Sequence, residues 1–295
     1  GYAQNKGFCE VAGVRGMKDC DVVFVCVPVA AMKSALERAY GVLGDSVIIS
    51  DVASVKAPFE LAKGRYVGGH PMAGTEKGGI ASSKPHLFQN AYWVITSTGS
   101  DADVVTGIVK SIGALPLYMT AADHDRAVAM YSHVPHAVAY ALASAALDSS
   151  VKPIAGSGFL DTTRIAKSDE KFWTEVFSLN SANVSAGISA YISELTKLNS
   201  FIERGDRDGM MSYISSARQK REALERADLG GEALYVDLVD RVGEFERVTG
   251  MIARAGINVK SIALVPGRED VSGALRLEFE TAADRAAAEK VLKKG

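Results

Sequence analysis

The feature that most constrains this chain is the rhythm of residues 1–119. Short apolar runs recur there, separated by helical stretches: DVVFVCVPV (21–29), SVIISDV (46–52), RYVGG (65–69), AYWVIT (91–96) and ALPLYM (114–119). Runs this short and this rich in valine and isoleucine read as strands buried on both faces. Strands alternating with helical segments, such as the one over about 30–41, imply a Rossmann-like α/β fold with a doubly wound parallel sheet. In such a sheet ligands bind beyond the carboxyl ends of the strands. Those ends carry Pro28 and Val29, then Asp51 to Lys56, then Gly69 to Gly74.

The rhythm changes near residue 120. AADHDRAVAMYSHVPHAVAYALASAAL has helical periodicity, with Pro135 as a kink or a restart. Stretches 169–182, 183–204 and 207–228 are also helical, and no strand signal interrupts them. Residues 120–230 therefore read as an all-α domain whose long apolar faces suggest a dimer interface. Gly230-Gly231 reads as a linker. Beyond it come a strand (233–239), an amphipathic helix (243–256), two strands (257–265 and 272–280) and a helix (282–294). That order, β-α-β-β-α, makes 231–295 a small α+β domain.

Composition narrows the function classes. Apolar residues make up 47% of the chain and charged residues 23%, with a net charge of -2. This is an ordinary soluble globular balance, with no call for nucleic acid or an anionic membrane as partner. No signal peptide is found, and no apolar run reaches the roughly 18 residues needed to span a bilayer. Cys9, Cys20 and Cys26 lack CxxC spacing, so they read as reduced thiols of a cytoplasmic protein.

Three groups of residues could carry chemistry. His70 stands between glycines and a proline, and Ser54 stands at the end of a neighbouring strand. A hydroxyl and an imidazole on one rim are credible partners for a reacting group; capping a helix near residue 55 is the other use of Ser54. His124, His133 and His136 cluster, and the last two share a helical face. Without an HExxH pattern or an acidic residue at ligand spacing, they do not read as a metal site. His86 reads as an exposed loop residue. In GFLDTTRIAKSDEKFW (158–173), Arg164 is placed either to clamp a carboxylate through two parallel hydrogen bonds or to pair with Asp161 or Asp169. Trp173 packs over the same site or belongs to the core.

GGHPMAGTEKGG, SHVPHAVAYAL and DTTRIAKSDEKFW, in that order, resemble the prephenate dehydrogenase family of tyrosine biosynthesis, from the first residues to about 228. YVDLVDRVGEFERVTGMIARAGINVKSI resembles an ACT domain, a ferredoxin-like module. The resemblance implies that NAD, with NADP as the alternative, takes hydride from C4 of prephenate while carbon dioxide leaves, giving 4-hydroxyphenylpyruvate. It implies that His70 is catalytic, accepting a hydrogen bond from the C4 hydroxyl. That role needs a neutral imidazole, so activity should fall below a pKa near 6.5 unless the site shifts it. Ser54 would orient His70 and the hydroxyl near the nicotinamide, with Pro28, Val29 and Asp51 also on the cofactor side. Arg164 would clamp a carboxylate. His136, Ser132 and Thr75 would line the substrate pocket, with Trp173 over it and Glu76 as a gate. The glycines around His70 would let backbone approach ligand. The ACT-like part implies feedback by tyrosine at Gly243 and Asn258, or a domain that serves only dimerisation.

The sequence departs from the family in four places. The family's first strand and its GxGxxG turn are not found, and Gly1-Tyr2 resembles the end of the second strand, so upstream residues are expected. The stretch from Gly1 to Asp21 is short. Ala3 stands where an acidic residue would hold a ribose hydroxyl, which weakens the choice of NAD over NADP. The ACT-like turn reads Asp240-Arg241-Val242-Gly243, with valine where proline is usual. Two rivals stay open. One is arogenate dehydrogenase, the same chemistry on a substrate with an amino group in place of the side-chain ketone. The other is a non-catalytic amino-acid sensor, favoured by the missing glycine turn and opposed by His70, Ser54 and Arg164.

Overall fold

The computed structural model describes residues 14–60, 64–73, 87–89, 91–146, 154–227, 232–239, 241–265 and 274–293. Tyr2, Ala3, Thr75, Glu76, His86 and the Gly230-Gly231 pair lie outside the described residues. The chain divides into two compact units, Gly1–Thr196 and Lys197–Gly295.

In the first unit, strands β1 (Val22–Val25), β2 (Ile48–Asp51) and β3 (Tyr66–Val67) run parallel in that order. Strands β4 (Gly69–Pro71), β5 (Tyr92–Ile95) and β6 (Leu115–Tyr118) follow, with β4 antiparallel to β5 and β5 parallel to β6. They thus form two three-stranded sheets, one parallel and one mixed, where a single parallel sheet was expected. The cause lies at Gly68. One residue separates β3 from β4, and there the chain leaves β2 and takes β5 as its partner: Val67 pairs with Ser50, Gly69 with Ile95. A Cβ on Gly68 would come 2.4 Å from Thr96 Oγ1, and one on Gly69 would come 2.6 Å from the Asp51 carbonyl oxygen. Only glycine permits so close an approach. These two glycines thus admit neighbouring strands, which corrects the expectation that they make room for a ligand. His70 lies inside β4, paired with Val94, rather than in a loop.

Helices cover the strands on both faces. Helix α1 (Val29–Leu43) buries Val29, Met32, Leu36, Ala39 and Leu43, one face at helical spacing, in a core shared with Ile49. Helix α2 (Ser100–Ser111) buries Ala102, Val105 and Val109 in a second core with Ile48, Trp93 and Ile95. Successive residues Ile48 and Ile49 thus serve opposite layers, as the pleat of a strand requires. Edge strand β6 tolerates Pro116 because an edge position need not donate to a further strand.

The helical stretch follows: α3 (Ala121–Val128), one π-helical turn (Ala129–His133), α4 (Val134–Ala145) and α5 (Ser157–Thr163). A 3-10 turn (Arg164–Lys167), α6 (Glu170–Leu179) and α7 (Ser181–Glu203) complete it. Pro135 follows directly on the π-helical turn, and the backbone stays helical from α3 through His133 and Val134 into α4, so it accompanies a local irregularity in a continuous helical run rather than a restart. Asp169 caps α6 by accepting the Phe172 N–H at 2.7 Å.

The second unit holds α8 (Arg207–Ala227), β7 (Glu232–Asp237), α9 (Glu244–Arg254), β8 (Ser261–Val265), β9 (Ala274–Phe279) and α10 (Ala282–Leu292). β9 lies between β7 and β8 and is antiparallel to both. Val248 and Ile252 of α9 pack on Leu275, Leu277 and Phe279 of β9. Gly243, at φ +89°, takes the left-handed conformation that starts α9. Among the described residues no helix is long and apolar enough to cross a membrane.

Candidate active site

β2 ends at Asp51, and the chain then crosses the carboxyl edge of the sheet. Asp51 is fully buried. Its Oδ1 accepts from the Gly69 N–H and the Tyr66 hydroxyl, both at 3.0 Å. Its Oδ2 accepts from the Ala53 N–H at 3.1 Å and pairs with the equally buried Lys56 ammonium. Burial lowers the Lys56 pKa from its ordinary value, with the Asp51 charge opposing. Asp51 is a joint between strands. Its oxygens are taken by these partners.

The backbone N–H groups of Lys56 and Ala57 donate to Asp125 Oδ1 at 2.8 Å and Oδ2 at 2.9 Å. Asp125 lies on α3, which is capped by Thr120 accepting the Asp123 N–H. Asp125 and His124 are 2% and 0% exposed, so water does not serve their polar atoms. His124 Nδ1 lies 2.7 Å from Asp125 Oδ1, and His124 Nε2 lies 2.8 Å from His70 Nδ1. Asn180 donates to the Asp125 carbonyl at 2.7 Å and lies 3.3 Å from His133 Nδ1. Sequence reasoning missed Lys56, Asp125 and Asn180 and weighed His124 and His133 only as metal ligands. The adjacent His124-Asp125 pair was the available signal.

The π-helical turn sets the next side chains. The Ser132 carbonyl accepts from His136 Nδ1 at 3.0 Å. The His136 ring stacks on Trp173 with centroids 3.5 Å apart, and His133 meets the same indole edge-on. Trp173 belongs to the core beside α1 and also to the cavity wall, so both readings of it hold together.

A cavity of about 930 Å³ is lined by Ser54, His70, Ser132, His136, Arg164 and Trp173, with His133 among them. The structure thus brings the expected residues of three separate motifs into one site. Ser54 does not cap a helix, because the nearest turn starts at Ala57 with Lys56 as its cap. Pro28 and Val29 wall an adjoining hollow of about 490 Å³ that shares Asp169 and Phe172 with the main cavity. In the second unit Gly243 opens α9, and Asn258 is exposed in the segment before β8.

Burial, then the nearby His124, Lys56 and His133, hold the His70 pKa well below the ordinary histidine value. Burial foremost takes His133 down to about 4. His136 is lowered by burial, with the Ser132 carbonyl opposing and the Arg164 guanidinium adding to it. The imidazoles of His70, His133 and His136 are therefore neutral at pH 7, and the fixed cation of the site is Arg164. The arrangement suits a ligand with a hydroxyl for His70 and a carboxylate for Arg164. Among the described residues no group of three or more His, Cys, Asp or Glu is set to hold a metal.

Residues 2–115 match the family model described as prephenate dehydrogenase, nucleotide-binding domain, and residues 120–216 match that of the prephenate dehydrogenase dimerization domain. A prephenate dehydrogenase of Bacillus subtilis (strain 168) is 31% identical over 300 residues, covering 95% of this chain and 81% of the relative. The chain belongs to the prephenate dehydrogenase family. Among solved structures, a prephenate dehydrogenase from A. aeolicus in complex with hydroxyphenyl propionate and NAD+ superposes with a TM-score of 0.69 at 28% identity, covering 76% of this chain and 84% of that one. Synechocystis arogenate dehydrogenase, also similar, gives a TM-score of 0.64 at 26% identity, covering 72% and 82%.

Proposed function

We propose that this chain is a cytoplasmic prephenate dehydrogenase that converts prephenate to 4-hydroxyphenylpyruvate and carbon dioxide with NAD+. The observation that carries the reading is the single cavity walled by neutral His70, Ser54 and the Arg164 cation. A dinucleotide fits the residues present. Pro28, Val29 and Ser54 wall adjoining hollows at the carboxyl edge of β1 and β2, and the Asp51 charge there is buried against Lys56, where it does not repel an anionic cofactor. NAD+, when bound, supplies the hydride acceptor.

His70 accepts the hydrogen bond of the substrate's C4 hydroxyl and takes its proton as the carbonyl forms. A base placed in this way contributes about 10²–10⁴ in rate. Ser54 orients the hydroxyl, and Arg164 clamps a carboxylate of prephenate. Ser132, His136 and Trp173 shape the wall, and the family pattern extends it to Thr75 and Glu76. The expected result is that His70→Asn lowers kcat by about 10²–10⁴ with KM nearly unchanged. Full kcat in that variant would overturn the assignment. A second reading, arogenate as substrate, draws support from the likeness to the Synechocystis arogenate dehydrogenase. NADP remains the alternative cofactor.

The reading extends to three parts, 1–119 for the dinucleotide, 120–230 for substrate and dimerisation, and 231–295 as an ACT-like regulatory domain. Exposed Tyr191, Leu195 and Ile202 along α7 support a homodimer. The β-α-β-β-α order, the β7-β9-β8 sheet and the Gly243 turn support the ferredoxin-like comparison. Tyrosine would bind at Gly243 and Asn258; tyrosine that changed neither activity nor melting temperature would remove the effector from the account.

A further inference from the structure

We infer that His124 and Asp125 are positioning residues that lock the His70 ring in one tautomer, with Nδ1 protonated and Nε2 bare. The hydrogens follow from the network of acceptors and donors. Both oxygens of Asp125 already accept from the backbone N–H groups of Lys56 and Ala57, which can only donate. The carboxylate is therefore an acceptor toward His124 as well, and the proton between them sits on His124 Nδ1. With that single proton on Nδ1, the His124 ring has a bare Nε2. That bare nitrogen lies 2.8 Å from His70 Nδ1, which must then carry the shared hydrogen. His70 is left with Nε2 as its acceptor. The opposite His70 tautomer would set two bare nitrogens against each other. His124 and Asp125 are almost wholly buried, so no water relieves such a mismatch.

The device deepens the proposed dehydrogenase reading and rests on it for its catalytic consequence. A base that must accept a proton needs its acceptor nitrogen free before substrate arrives. When His70 becomes protonated, the bond from its Nδ1–H to His124 becomes charge-assisted, and the chain ends on the Asp125 carboxylate. The same backbone turn carries Ser54 and, two residues on, the Lys56 N–H that holds Asp125. Hydroxyl and relay are thus set by one segment.

The test is a long-range ¹H–¹⁵N spectrum of the full chain labelled in histidine, where five histidines keep assignment simple. Comparison with His70→Asn identifies the His70 signals. In the unsubstituted protein, His70 should show a protonated Nδ1 and a bare Nε2. In His124→Phe, which offers no acceptor, His70 should pass wholly or partly to the other tautomer. The amide oxygen of His124→Gln should restore the original form. In parallel, kcat should fall about 100-fold in His124→Phe and recover to within about tenfold in His124→Gln, with KM little changed. A His70 protonated at Nε2 in the unsubstituted protein would overturn the inference, as would a tautomer unchanged in a folded His124→Phe. The first of these needs no variant of His124 to fold. Absence of turnover in the unsubstituted protein would count against the dehydrogenase reading alone, because the tautomer is read without substrate.

Discussion

Two buried carboxylates, Asp125 in the first unit and Glu244 in the second, are 2% and 3% exposed and carry opposite meanings. Glu244 is held by its own neighbourhood. Arg241 and Arg247, three residues to either side, donate to it at 2.8 Å and 2.7 Å, and these bonds keep its pKa down at about 2. Asp125 is held by backbone from 68 and 69 residues away and passes its influence through a histidine into the cavity. Burial alone marks neither as functional. The difference lies in the partner. Fixed arginines make a local brace, whereas an imidazole, with one nitrogen to donate and one to accept, can relay a proton's position.

The comparison is tested most severely by Asp125→Ala. It leaves the Lys56 and Ala57 N–H groups and His124 Nδ1 without their acceptor, and should lower the unfolding free energy by about 2–5 kcal/mol in urea titrations. Activity should fall with it. An unchanged midpoint would break the contrast. Arg164→Gln should follow in size, raising KM about 10–100-fold, as expected for losing a charged hydrogen bond of about 1.5–3 kcal/mol, with kcat little changed. An unmoved KM would show that the clamp lies elsewhere.

Acid pH should reveal the neutral histidines. The active form of His70 is uncharged and its pKa is depressed, so kcat/KM should hold as pH falls through 6.5 and decline only below it. Stability has its own profile. His133 has a folded pKa of about 4, so the unfolded chain takes up its proton first. Its contribution is present above 6.5 and is lost as pH falls from there toward about 4. A kcat/KM limb centred at or above 6.5 would mean that His70 is not shielded as its burial requires. The smallest effect belongs to Glu244→Gln, which keeps an acceptor oxygen for one arginine only, turns an NH2 donor toward the other and removes the charge. It should lower the melting temperature slightly and leave kcat as it was, and a loss of kcat would blur the distinction between brace and relay.

Strand and helix positions were legible because their signals are local: valine-rich runs and helical spacing. The direction of β4 was not, since nothing near Gly68 says which neighbour the chain will meet. The cavity residues His70, Ser54, Arg164, Ser132 and His136 were legible through motif order. Lys56 and Asn180 were not, because their bonds to Asp125, and that of Asn180 to His133, span 47 to 69 residues. The buried pairing of Asp51 was hidden for a related reason. An acidic residue at a strand end reads as a ligand group until a lysine five residues on is seen to fold back and bury it. The Gly68-Gly69 pair misled, since a tight approach to a neighbouring strand and one to a ligand leave the same mark in a sequence.

The central claim is a redox reaction, and the most direct measurement is reduced-cofactor formation by the purified chain, with prephenate and arogenate each offered alongside NAD+ and NADP+. The expected result is turnover with prephenate and NAD+. Turnover with arogenate alone would keep the mechanism and change the substrate. Silence in all four mixtures, from protein shown to be folded, would contradict the dehydrogenase reading and leave a binding protein whose first ligand to test is tyrosine.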